Sequence, residues 1–141
     1  MSLFKAIAAA FLFASLGGQT APAKYSEGQV WEYKTRAGDE GSLLKIQRIE
    51  QSPGFEKYGS IYHISIVGFH LGNPAVPPVL PHAPVSRETL DASVTRLSSD
   101  KREFPPADGG IAEWRQAQGG VFTISVAEIV DIIDQQTSSL H

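Results

Sequence analysis

Three stretches in the first half of the chain alternate between apolar and polar residues, with the period of two that a half-buried β-strand requires. They cover residues 29–36, 42–50 and 61–69, and the last is the richest in β-branched residues. The connections between them are short and carry glycine or Pro-Gly, so consecutive strands are expected to be neighbours that run in opposite directions. This pattern predicts an antiparallel meander of three strands.

A helix is predicted after the middle of the chain. Ser86 can accept a hydrogen bond from a free backbone N–H of a first helical turn, as N-cap serines do. Leu90, Val94 and Leu97 then fall on one face at spacings of four and three residues. This spacing predicts that the helix extends through Leu97.

The C-terminal part of the chain adds a second and a third helix. Ser125 and Glu128 form a capping box, and apolar residues at helical spacing follow them. A short helix is expected around residues 111–117, and VFTI, residues 121–124, is expected to be a fourth strand. The predicted fold is one α+β domain with a three- to four-stranded, mainly antiparallel sheet and two or three helices packed on one face.

Residues 71–86, LGNPAVPPVLPHAPVS, contain five of the nine prolines of the chain. One interpretation is a polyproline II ligand for a partner, and another is a linker between domains. However, the residues between the prolines are apolar, and the fixed φ of proline lowers the entropy of the unfolded chain. These properties favour a rigid connector that packs on the domain.

The N-terminus has the pattern of a secretory signal peptide. Lys5 precedes an uncharged apolar run, residues 6–16, and a small-x-small site ends at Ala23. The run is too short for a membrane-spanning helix, which needs about 20 apolar residues. The alternative to a signal peptide is an N-terminal helix of the domain. We expect residues 1–23 to be a signal peptide, residues 24–141 to be the domain, and the protein to be periplasmic or secreted without membrane insertion after signal removal.

Composition excludes several classes of function. The chain has no cysteine, which excludes disulfides and thiol chemistry. The net charge of −3 becomes −4 when Lys5 leaves with the signal peptide. This acidic balance argues against a nucleic-acid partner and gives no attraction to an anionic membrane surface. The only asparagine, Asn73, precedes a proline and is not a glycosylation acceptor.

Three histidines of the predicted domain could in principle bind zinc, but the spacing of His63, His70 and His82 matches no metal motif. No G-x-S-x-G sequence surrounds any serine, and no glycine-rich phosphate loop is present. We therefore expect no metal and no cofactor. A small hydrolase-type enzyme that uses His63 or His82 remains the alternative, and it requires both imidazoles to meet an acid or a hydroxyl in a concave pocket.

The polar side of the predicted sheet is the candidate binding face. If Trp31 and Tyr33 point toward the helices, the opposite face carries charged and polar groups, and an antiparallel sheet can leave such a face in water. Its cationic side chains could hold a carboxylate or a peptide, although a plain solvent face is the alternative interpretation. The residues of this predicted binding face are Glu32, Lys34, Arg36, Lys45, Gln47, His63 and Ser65.

Four stretches have a familiar pattern: GQVWEYKTR (28–36), IYHISIVG (61–68), LPHAPVSRETLDASV (80–94) and VFTISVAEIVD (121–131). Together they resemble a group of short bacterial proteins of uncharacterised function. The resemblance implies no activity, cofactor or catalytic residue. Export, small size and the lack of a catalytic signature predict a small binding or accessory domain, in the manner of an inhibitor or immunity protein, with a protein or peptide partner.

Overall fold

The computed structural model of the chain describes residues 24–140. The predicted signal peptide, residues 1–23, lies outside the described residues, and so does His141. In the described part, no helix has the length and apolar character that a membrane span would need.

Five antiparallel strands form a single sheet. The strands are β1 (Val30–Tyr33), β2 (Leu43–Glu50), β3 (Ile61–Val67), β4 (Val79–Ser86) and β5 (Val94–Leu97). Their spatial order is β4-β3-β2-β1-β5, and every neighbouring pair is antiparallel. The predicted meander of the first three strands is therefore confirmed, but the sheet is wider than the three or four strands that the sequence pattern indicated.

Three α-helices accompany the sheet within residues 24–140: α1 (Arg87–Ser93), α2 (Asp108–Ala117) and α3 (Val126–Ser138). A single 3-10 turn (Glu56–Tyr58) lies in the loop between β2 and β3. The Ser86 side chain accepts the Thr89 backbone N–H at the start of α1, as its N-cap position predicts. The predicted α+β class is thus confirmed.

The second half of the proline-rich segment is strand β4, so the prediction of a connector is wrong there. β4 pairs with β3 along its length and lies at an edge of the sheet. Proline has no N–H to donate, so an edge is the place where a strand can contain it. The backbone of Phe122 covers part of the outer edge: its N–H donates to the Pro84 carbonyl, and its carbonyl accepts the Ser86 N–H, each at 2.9 Å. The predicted strand at residues 121–124 is reduced to this bridge with Val85.

Helix α1 is shorter than predicted, and β5 takes the place of its second half. The Ser93 hydroxyl donates to the Thr89 carbonyl at 2.6 Å and accepts the Val126 N–H at 3.0 Å, which ties the end of α1 to the start of α3. The Ser93 carbonyl accepts the Lys34 N–H, and the chain continues beside β1. The spacing of Leu90, Val94 and Leu97 therefore wrongly predicted a helix through Leu97. Val94 is β-branched and pairs with the edge of β1 instead, so the chain continues there as a strand.

Apolar residues fill one face of the sheet beneath α1 and α3. Trp31 and Tyr33 are buried there, as the alternation of β1 predicts, and Tyr33 also bonds the Ser42 hydroxyl at 2.7 Å. The remaining buried residues of this core come from β2, β3, β4, α1 and α3, and from two positions outside these elements. They are Tyr25, Leu44, Ile46, Tyr62, Ile64, Ile66, Phe69, Ala83, Val85, Leu90, Val126, Ile129 and Val130.

The opposite face is also covered, so the prediction that the helices pack on one face is wrong. All seven residues of β3 are buried, which requires cover on both sides of that strand. Helix α2 supplies the second cover: the ring of Trp114 lies 5.0 Å from that of His63, measured between centroids. Ile111 of α2 is buried as well, but it lies outside the main core. The domain therefore has three layers rather than two.

The capping box of α3 gives a test of this assignment. The Ser125 hydroxyl accepts the Glu128 N–H at 3.2 Å, and the Glu128 carboxylate accepts the Ser125 N–H at 3.1 Å. Replacing Ser125→Ala should lower the free energy of unfolding by about 1 kcal/mol, measured by chemical denaturation. Ser99→Ala, in an exposed loop position, should change it by less than about 0.5 kcal/mol. Equal losses in the two variants would contradict the cap.

Candidate functional site

A chain of hydrogen bonds joins β4, β3 and β2 to helix α2. His63 Nδ1 lies 2.8 Å from His82 Nε2, and His63 Nε2 lies 2.8 Å from Glu50 Oε1. The same Glu50 oxygen accepts a hydrogen bond from Arg115 Nη2 at 2.7 Å. We call these four residues the histidine network.

A bulge in β2 places Glu50 in the histidine network. Ile46 pairs with Ile64 in regular register, but the next pair is Arg48 with His63, so Gln47 is an extra residue. Without this shift, strict alternation would place Glu50 on the same face as Ile46, which is the core face. The bulge moves it to the face of His63 and turns Ile49 toward the core. Strict alternation along residues 42–50 predicts the opposite, with Glu50 on the core face and Ile49 on the face of Lys45 and Gln47.

Helix α2 fits closely over the two imidazoles. The rings of His63 and His82 are stacked with centroids 5.0 Å apart, and the Trp114 ring packs against His63 in a T-shaped arrangement. Gly110 lies against His82: a Cβ atom at this glycine would come within 2.5 Å of the His82 Cβ. His63 is completely buried, and His82 is partly exposed.

Burial lowers the pKa of both histidines. For His63 the loss of water dominates and exceeds the opposing effect of Glu50, while Arg115 and Arg48 lower its pKa further. For His82, burial and then the neighbouring His63 lower the pKa to about 4. Both imidazoles are therefore neutral at pH 7.

The hydrogen-bond partners assign the protons of the two neutral rings. The Glu50 carboxylate can only accept, so His63 carries its proton on Nε2 and offers the Nδ1 lone pair to His82. His82 must then carry its proton on Nε2 and donate it to His63. This leaves the lone pair of His82 Nδ1 outside the chain of hydrogen bonds, beside Gly110.

The predicted binding face does not exist as one solvent face. His63 and Ser65 are fully buried, because α2 and the segment that leads into it, residues 98–107, fold over them. The Ser65 hydroxyl donates to the Pro81 carbonyl at 2.6 Å, and the Gln47 amide donates to Ser65 and to the Pro105 carbonyl at 3.0 Å each. Gln47, His63 and Ser65, three residues of the predicted binding face, therefore hold α2 and the covering segment in place.

The other predicted residues of this face are separated. Arg36 turns toward α3, where it contacts Asp39 at 2.7 Å and Asp134 at 3.0 Å. Glu32 pairs with Arg96 of β5 at 3.2 Å. Lys34 is exposed and Lys45 is half-buried. Only the part of the face formed by β1 and β2 therefore remains open.

An open groove of about 470 Å³ runs along this remaining part, between β1, β2 and residues 97–104. Apolar side chains and three cations line it, and the anion Asp100 lies 3.4 Å from Arg102. Arg102 also donates to the Gly41 carbonyl at 3.2 Å. The residues that define this groove, called the open groove below, are Val30, Lys45, Leu97, Lys101, Arg102 and Phe104.

Neither a metal site nor a serine nucleophile is assembled in the described part of the chain. Its His, Asp and Glu residues form no group of three or more arranged to hold a metal ion. His70 lies apart from the other two histidines and contacts Asp39 at 3.4 Å. Among residues 24–140, no hydroxyl group forms a hydrogen bond with the imidazole of His63 or His82.

Sequence reasoning missed three residues that build the site: Glu50, Trp114 and Arg115. The first was hidden by the bulge, whose trace in the sequence is two charges, Arg48 and Glu50, at positions where the alternation requires apolar residues. The other two lie on a helix whose contact with the second face no local pattern indicates. That helix also determines which polar residues of the predicted binding face are exposed to solvent.

Comparison with protein-family models, with curated proteins and with solved structures found no match to this chain. The class of the protein is therefore defined by its own architecture, an α+β domain with one antiparallel sheet covered on both faces.

Two adjacent glycines of α2 test the contact with His82. Gly110→Ala should lower the free energy of unfolding by about 1–3 kcal/mol, because the new methyl group overlaps His82 and α2 must move. Gly109→Ala is the matched control: no atom lies within 4 Å of its added Cβ, and alanine favours the helix, so a gain of about 0.5–1 kcal/mol is expected. Urea denaturation measures both, and a stabilised Gly110→Ala variant would contradict the close fit.

Proposed function

We propose that this protein is a small exported binding or accessory domain and that its open groove receives an anionic peptide of a protein partner. The observation that carries this proposal is the lining of the groove. Lys45, Lys101 and Arg102 surround apolar residues there, in a chain whose net charge is −3. A local cationic site on an acidic protein selects for acidic ligands, because other surfaces repel them.

The apolar residues of the open groove suit a peptide better than a free ion. Leu97 has 55 % of its surface exposed, and Val30 and Phe104 lie beside it. An extended peptide could bury this surface while its carboxylates meet the lysines. The volume, about 470 Å³, lies within the range of about 300–1,000 Å³ that is usual for ligand sites. A role like that of an inhibitor or immunity protein needs no catalytic group, and this site offers none.

Export rests on the N-terminal pattern alone. The basic start, the apolar run of residues 6–16 and the small residues before Lys24 are typical of a cleaved signal peptide. An exported accessory domain would meet its partner outside the cytoplasm, in the periplasm or the medium.

The enzyme alternative is favoured by one observation and opposed by two. His63 and His82 do meet a carboxylate, Glu50, within hydrogen-bond distance. However, no hydroxyl joins them in residues 24–140, and burial lowers the pKa of His82 to about 4, which makes it a weak base near neutral pH. A binding domain is therefore the function that the geometry supports best.

Charge reversal in the open groove tests the proposed binding. A fluorescent hexaglutamate peptide should bind the protein at low salt, and Lys45→Glu or Lys101→Glu should weaken the affinity about tenfold each, measured by fluorescence anisotropy. Lys57→Glu makes the same change of charge at an exposed position elsewhere and should leave binding unchanged. Added salt should weaken wild-type binding. Equal affinities of all variants would refute the groove as the binding site.

Expression of the full chain in a bacterial host tests export. The protein in the periplasm or medium should begin at Lys24, as N-terminal sequencing would report, because the small-x-small site ends at Ala23. Leu12→Arg breaks the apolar run and should leave the chain unprocessed in the cytoplasm. An unprocessed wild-type chain would count against the signal peptide.

A further inference from the structure

The attachment of α2 depends on few apolar contacts. Ile111 is the only residue of α2 that is buried, whereas α3 buries three of its residues in the main core. Its polar and aromatic contacts with the sheet include the histidine network, the packing of Trp114 and Gly110 on the two imidazoles, and a weak pair at 3.8 Å between Asp108 and Arg48. An element with so little buried apolar surface is among the first to open locally.

Burial makes proton uptake by the two imidazoles unfavourable while α2 is in place, and the surrounding charges do not offset it. From β2, Arg48 and Glu50 act on His63, and from α2, Arg115 does, while Asp108 of α2 contacts Arg48. The anions are already engaged, since Glu50 pairs with Arg115 and Asp108 with Arg48. On β3 and β4, the histidines themselves are the titratable groups of this contact.

Hydrogen-bond geometry limits the network to one added proton at most. A proton on His82 Nδ1 keeps the bond to His63 but puts a cation beneath Gly110, next to the positive end of the α2 dipole. A second proton would place an N–H on both of the nitrogens that lie 2.8 Å apart, so this bond would be lost and two like charges would face each other. In water, both rings accept protons without this conflict.

We propose that the histidine network is an acid-sensitive latch: on acidification His82 and His63 take up protons, and α2 with the segment before it detaches from the second face of the sheet. The detachment exposes Gln47 and Ser65, which are polar residues that the closed form covers. An exported protein meets wider changes of pH than a cytoplasmic one, so such a latch could regulate a surface. The latch is argued from the contacts of the histidine network and not from the proposed ligand. The detaching segment carries Lys101, Arg102 and Phe104, so its release would also open the groove.

The direction of the effect follows from proton linkage. The pKa of His82 is about 4 in the closed form against an ordinary value of 6.5, so the open form binds more protons. The closed form is therefore fully favoured above pH 6.5 and is lost as the pH falls from 6.5 toward 4. Within this window His82 can change the ratio of open to closed forms up to about tenfold per pH unit, and the lowered pKa of His63 acts in the same direction.

Hydrogen–deuterium exchange of the full chain, read by mass spectrometry from pH 7.5 to 4.5, tests the latch. With rates normalised to the intrinsic exchange rate at each pH, protection of α2 should fall at least tenfold, while β2 and β3 keep theirs. His82→Gln should reduce the pH dependence of α2 to the contribution of His63, because glutamine does not titrate. His70→Gln replaces an exposed histidine, 76 % exposed in its side chain, and should keep the wild-type response.

Three outcomes would overturn the proposal: constant protection of α2 in the wild type, an unchanged response in His82→Gln, or loss of protection in all strands together. A second measurement covers the case in which His82→Gln does not fold. In an NMR titration of the wild-type chain, the chemical shifts of the His63 and His82 ring protons should change together with those of the α2 amides below pH 6.5. Titration of both rings without any change in those amides would refute the latch.

Discussion

The burial of strand β3 on both faces is the constraint on which the rest of the structure depends. Its seven residues, Ile61–Val67, are all buried, and it pairs with β2 on one side and β4 on the other. Tyr62, Ile64 and Ile66 face α1 and α3, while the opposite face carries His63 and Ser65 between Ile61 and Val67. A strand in this position needs a second cover, and residues 98–117 supply it.

Polar residues on a covered face must find hydrogen-bond partners, because a buried unpaired group costs about 1–3 kcal/mol. His63 meets this condition with both ring nitrogens, one bonded to His82 and the other to Glu50. Ser65 meets it with the Pro81 carbonyl. The cover of this face, α2 with residues 98–107, is thus held by specific polar contacts more than by buried apolar area. Its stability is therefore sensitive to the protonation of the His63 and His82 rings.

Local patterns predicted the elements whose cause is local. Ser86 and Ser125 mark helix starts because each hydroxyl group accepts the backbone N–H three residues further along the chain. The inward direction of Trp31 and Tyr33 follows from the pleat of β1 and is confirmed by their burial. Strand β4 could not be predicted in the same way, since its prolines argue against a strand unless an edge position is already known.

The sequence by itself determined the α+β class, the meander of three strands, the two capped helices and the side of β1 that faces the core, because each depends on contacts between near neighbours. Only the tertiary structure decided that α2 crosses the second face and that a bulge at Gln47 brings Glu50 to His63. These two features join residues that are 13 to 65 positions apart. The folded chain sets such contacts by packing and register, which no local pattern of residues records.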